Sequence, residues 1–166
     1  MPTKTLEDLF IDGLKDIYYA ERKIVGGLKK MIRGAQSPDL KAAFEKHLQE
    51  TEGQVERLVE AFELLGKPAR GKTCPAIDDI LEEGQEILEE FKGSDALDAG
   101  LLAAAQAVEH YEIARYGTLR SWAMQLGKQD VAQLLEATLA EETATDEALT
   151  QLAEASVNQK GKNKAA

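Results

Sequence analysis

Six acidic residues stand on or beside the inward faces of four long amphipathic stretches: Glu21, Glu50, Glu109, Glu112, Glu142 and Asp146. Taking a carboxylate out of water is costly even after its surroundings relax. A small chain that tolerates several of them inside a bundle is expected to give them a shared cation. On a helical wheel of roughly 100° per residue, Glu112 and Glu142 fall within roughly 20° of the centres of their apolar stripes. Glu21, Glu109 and Asp146 lie roughly 60° from centre, still on the bundle side. Glu50 is at roughly 95°, with Thr51 at the centre of its stripe instead.

The chemistry such a set could do follows from the donor type. Two adjacent Fe or Mn ions take hard oxygen ligands, and bridging carboxylates hold them about 3.5–4 Å apart. One glutamate from each of two helices, with an acidic residue and a partner one turn on from each of the other two, is a bundle solution to that requirement. Paired ions of this kind can supply electrons to O2 or peroxide. The expected reading is therefore a centre of two Fe or Mn ions held by the six acids.

The elements that must position them are helices. Ala, Leu, Glu, Lys and Gln dominate, and runs of β-branched residues with period two are absent. The first helix is predicted from Leu6 to Arg33, with Thr3 or Thr5 as its N-cap and Gly34 as its stop. The second opens on Ser37-Pro38, a cap followed by proline at the first helical position, and stops at Gly66. A connector from Gly66 to Gly93 contains a shorter helix opened by Pro75. The third long helix is predicted from Ser94 to Leu126 and the fourth from Lys128 to Ser156. Residues 1–157 thus read as one domain, and 158–166 as a polar, disordered tail. The fold class is all-α: a four-helix bundle of two helical hairpins with a long, helix-containing crossover.

Register supports convergence. Glu21 and Glu50 are each about 15 residues from the first hairpin turn, as Glu112 and Glu142 are from the second, which puts all four roughly 22 Å from their turns. With the two turns at opposite ends, the four carboxylates share one level. Glu109 and Asp146 match each other one turn beyond, where Gln54 fills the corresponding place on the second helix. A single offset carries Leu6 onto Leu97, Ile17 onto Val108, Leu40 onto Val131, Leu58 onto Leu149 and Glu21 onto Glu112. It also carries Glu50 onto Glu141, one short of Glu142. This suggests an internal duplication.

Three segments carry a family resemblance: His47-Leu48-Gln49-Glu50-Thr51-Glu52-Gly53-Gln54, Val108-Glu109-His110-Tyr111-Glu112 and Leu139-Ala140-Glu141-Glu142-Thr143-Ala144-Thr145-Asp146. Together they resemble the YciF/YciE family of bacterial stress-associated proteins, over nearly the whole chain. The resemblance implies a ferritin-like fold, a homodimer and a di-metal, ferroxidase-like centre. Glu109-x-x-Glu112 is similar to the rubrerythrin arrangement. The histidines of the wider ferritin pattern are missing, with Gly53 and Thr145 three residues after Glu50 and Glu142. Gln54 and Asp146, four residues on, are the nearest substitutes. That departure favours Mn or a weaker site.

Other polar residues take supporting roles in this reading. His47, roughly 35° from its stripe centre, is placed to orient a carboxylate from outside the ligand set, with Gln54 and Tyr116 beside it. His110 points outward. Cys74 reads as a structural or incidental thiol. Arg115 leans toward the core and, with Arg22 and Arg57, offers an alternative in which guanidinium groups neutralise the acids. The competing function is then a metal-free helical dimer or adaptor with an ion-paired core.

Composition removes other classes. The 166 residues carry a net charge of −10, which repels nucleic acid phosphates. Apolar residues are 43% of the chain, and no apolar run reaches the roughly 20 residues of a membrane span. The single cysteine excludes an intrachain disulfide and, with no signal-peptide pattern, points to the cytoplasm. The expected partners are O2 or peroxide and a second copy of the chain. Phosphate-loop and Ser-His-Asp patterns are absent.

Overall fold

The computed structural model describes residues 3–162. They form helices α1 (Leu6–Gly34), α2 (Pro38–Leu64), α3 (Pro75–Glu90), α4 (Leu97–Gln125) and α5 (Gln129–Leu152), a π-helical turn at Ala153–Val157, and α6 (Asn158–Gly161). No strand occurs among the described residues. Helices α1 and α2 form one antiparallel hairpin and α4 and α5 the other, while α3 lies across α4 and α1.

Local chemistry fixes the ends. Thr5 and Asp8 close a capping box at the start of α1, with Thr5 N donating to Asp8 Oδ2 at 2.8 Å and Asp8 N to Thr5 Oγ1 at 3.3 Å. Ser37 caps α2 by accepting from Leu40 N, and Pro38 follows at the first turn. Gly66 and Gly127 end α2 and α4 with φ of 65° and 72°, a region that L side chains avoid. Ser94 is not the cap of α4: its hydroxyl accepts from Ala96 N, and a turn at Ser94–Leu97 precedes the helix.

The two hairpin turns lie at opposite ends of the bundle. Asp98, in the first turn of α4, accepts from Gln36 N and Ser37 N at 2.7 Å each, so the α1–α2 turn sits at the start of α4. Lys128, at the α4–α5 turn, pairs with Glu7 at the start of α1 at 3.0 Å. Side chains that meet across the hairpins at mid-length therefore share one layer.

Above and below that layer the core is apolar, with Phe10, Leu14, Phe44, Leu58, Phe62, Leu101 and Leu135 all at 2% exposure or less. The chain stays helical past the boundary expected at Val157. Val157 is buried, and Gly161 packs against Asp95 and Ala96, so contacts with the start of α4 hold the extension in place. The rest of the expected tail, 163–166, lies outside the described residues.

Candidate metal centre

The middle layer is made of polar groups that are out of reach of solvent. Glu21 from α1, Thr51 and Gln54 from α2, Glu112 from α4 and Glu142 from α5 are all 0% exposed; Glu109 is at 1% and His47 at 3%. One ligand atom from each of His47, Glu109, Glu112 and Glu142 lies within 4.8 Å of the other three. Glu21 adjoins this group through Glu112. Tyr116, fully buried, donates to Glu21 Oε1 at 2.5 Å and leaves Oε2 without a partner. Gln54 Nε2 donates to Glu142 Oε1 and, at 3.0 Å, to Glu141 Oε2.

What sets this layer apart is how little satisfies it. Glu21 Oε2, both oxygens of Glu109, both of Glu112 and Glu142 Oε2 are buried with no hydrogen-bond partner, as are both nitrogens of His47. His47 Nε2 approaches Glu109 Oε1 at 2.8 Å but is misaligned for a hydrogen bond. Buried polar groups in folded proteins are nearly always paired, and leaving one unpaired costs about 1–3 kcal/mol, more when it is charged. A cluster of orphaned oxygen donors around one imidazole fits a divalent cation, whose charge and coordination would satisfy all of them together.

The protonation of these groups carries the same strain. Burial pushes Glu21 up to about 7, against the opposing pull of its Tyr116 and Glu112 contacts. Burial, then the neighbouring Glu109, pushes Glu142 up to about 10. Glu112 is driven far above the carboxylate range by burial and by the charges of Glu21, Glu142 and Glu109. Burial alone would lower His47, but Glu109 and Glu50 outweigh it and raise the imidazole to about 10. Without a cation, the folded layer must hold protons that an unfolded chain would release.

Guanidinium groups do not neutralise it. Arg57 pairs with Glu141 at 2.9 Å and reaches Thr138 at 2.7 Å, at the margin between α2 and α5. Arg22 stacks over Tyr18, and Arg115, expected to lean inward, is exposed and stacks over Tyr111. Rotation of α4 that buries Glu112 and Tyr116 carries Arg115 outward. Among the described residues, the ion pairs made by Glu109 and Glu142 are to His47.

Three of the six acids singled out by spacing stand outside the group of four: Glu21, which adjoins it through Glu112, and Glu50 and Asp146, which lie toward the surface. Glu50 has a side chain 24% exposed, with Oε2 3.8 Å from His47 Nδ1 and accepting from Thr145 at 3.3 Å. Asp146 faces His110 at 3.1 Å and Gln106 at 3.1 Å. His47, read as an orienting residue, instead brings a ring nitrogen into the group itself. The pairing of Cys74 Sγ with Tyr111 OH at 3.1 Å went unforeseen, because it depends on where α3 lands on α4.

Residues 5–162 match the family described as a domain of unknown function, DUF892. The chain belongs to the DUF892 family. It is 45% identical over 166 residues to the protein YciF of Escherichia coli strain K12, covering 99% of this chain and 100% of that one. A crystal structure described as the E. coli stress protein YciF superposes with a TM-score of 0.90 at 44% identity, covering 95% of this chain and 99% of that chain. YcfI from Rhodopseudomonas palustris, described as a candidate structural protein, superposes with a TM-score of 0.87 at 48% identity, covering 89% and 94%. A Xanthomonas campestris protein gives 0.74 at 26% identity, covering 93% and 94%. The DUF892 fold seen here has no helix, among the described residues, long and apolar enough to cross a membrane.

Proposed function

We propose that this chain is a ferritin-like di-metal protein of the cytoplasm, active as a homodimer in a stress response, that uses Fe or Mn to consume O2 or peroxide. The observation that carries the reading is the set of orphaned buried oxygens on Glu21, Glu109, Glu112 and Glu142, with no Arg or Lys among them. His47, Glu109, Glu112 and Glu142 would hold one ion, and Glu21, beside Glu112, would hold a second. Bound there, a pair of Fe2+ ions supplies two electrons, enough with two protons to reduce one peroxide to two waters.

The protein's own part is positioning and exclusion. Tyr116 fixes Glu21 through Oε1, so that Oε2 is the free donor atom. Gln54 clamps Glu142 against Glu141, and Arg57 holds Glu141 at the edge, which keeps its charge outside the layer. Apolar packing above and below keeps bulk water away, which strengthens each charge–charge contact. A diatomic or peroxide-sized substrate suits so closed a site.

The metal-free adaptor remains the competing reading, favoured by the description given to the Rhodopseudomonas relative. Anaerobic loading with Fe2+, desalting and metal analysis separate the two. Two ions per chain, followed by Fe2+ oxidation and loss of added peroxide, support the di-metal protein. A metal content near zero supports the adaptor.

A further inference from the structure

We propose that Glu50 is the portal of the buried layer: a divalent cation docks first on its partly exposed carboxylate and passes inward beside His47. This rests on the metal reading above and adds how the site fills. The layer is sealed, with its acids at 0–1% exposure, so an ion must cross a wall. On α1 and α4, Ile17, Ala20, Ile24 and Leu119, within about two turns of Glu21 and Glu112, are buried and apolar. The seam between α2 and α5 is polar at two levels. At one, Arg57 spans to Thr138 and Glu141, and its guanidinium repels a cation. At the other, Thr145 donates to Glu50 at 3.3 Å, a light crossing from α5 to α2.

The second level leads inward. Glu50 Oε2 is 3.8 Å from His47 Nδ1, a buried nitrogen with no hydrogen-bond partner that faces it. His47 Nε2 lies 2.8 Å from Glu109 Oε1, inside the group of four. Donor atoms therefore run from solvent through Glu50 and His47 to Glu109. Lys46, with a side chain 73% exposed, pairs with Glu50 Oε1 at 3.5 Å and competes with an arriving cation.

The test is Co2+ uptake by the full chain stripped with EDTA, followed by stopped-flow absorbance, with cobalt content measured after desalting. The charge on Glu50 is expected to speed capture about tenfold or more, since local charge raises association rates by about 10–10³. E50Q should therefore slow uptake while leaving the final spectrum and stoichiometry unchanged. K46Q should speed uptake, and added salt should narrow the gap between E50Q and the parent protein. Equal rates for E50Q and the parent protein would overturn the proposal. A lower stoichiometry or altered spectrum in E50Q would overturn it differently, by making Glu50 a ligand. Absence of cobalt in the parent protein would defeat the metal reading itself.

Discussion

Glu21→Gln should stabilise the metal-free protein at neutral pH, although it alters a fully buried residue of α1. Burial raises Glu21 from the ordinary 4.5 to about 7. The folded chain therefore holds a proton that the unfolded chain releases. The associated stability is complete below pH 4.5 and is lost as pH rises through about 7. At about 1.4 kcal/mol per tenfold change in the proton equilibrium, the loss by pH 7.5 is at most about 3 kcal/mol. Glutamine avoids it because it never ionises. Its oxygen still accepts from Tyr116, and its amide can donate to Glu112, so the packing is kept. At roughly 2–4 °C per kcal/mol for a chain of this size, the gain is about 6–12 °C. Thermal unfolding followed by circular dichroism in EDTA, at pH 5 and pH 7.5, measures it. The parent protein should lose melting temperature between the two conditions, and E21Q should lose less, keeping the part that Glu142 and His47, both raised to about 10, contribute. Equal losses would show that Glu21 is not a buried, proton-holding carboxylate.

Three further outcomes are expected. Glu142→Ala should abolish binding of Fe2+ or Mn2+ in equilibrium dialysis, because it removes an unpartnered donor and the anchor of Gln54. Metal affinity should rise with pH, about tenfold per unit for each displaced proton, as the protons held on Glu21 below about 7 and on Glu142 below about 10 are released; titration calorimetry in buffers of different ionisation enthalpy counts them. Asp98→Ala should cost about 1–3 kcal/mol in urea unfolding, since Ser37 N loses its acceptor in a buried position and Gln36 N loses one at the surface.

The helices were legible because their signals are local. Thr5, Ser37-Pro38, Gly66 and Gly127 each mark an end through their own backbone chemistry. Glu112 and Glu142 stood out because their apolar neighbours fix the rotation of α4 and α5, and both are fully buried. Glu21 is just as buried despite its off-centre phase, because α1 is bordered by α2, α3 and α4 and its covered arc is wider than its apolar stripe. On α2 the spacing already put Thr51 at the stripe centre and Glu50 at its flank, and the structure sets Thr51 and His47 inward and leaves Glu50 at the margin. What spacing could not supply was how the helices face one another, which brings His47 against Glu109 and Glu142. A similar effect on α5 turns Asp146 toward His110. The helical turn at Asn158–Gly161 was not legible because Gly161 packs against Asp95 and Ala96, far away in sequence.

The claim beneath all of this is that acids from both hairpins share cations at mid-bundle. An anomalous-difference map from crystals loaded with Mn2+ tests it most directly. Two peaks about 3.5–4 Å apart, among Glu21, His47, Glu109, Glu112 and Glu142, are the expected result. A map with no peak in that layer, while the same carboxylates stay buried and protonated, would contradict it.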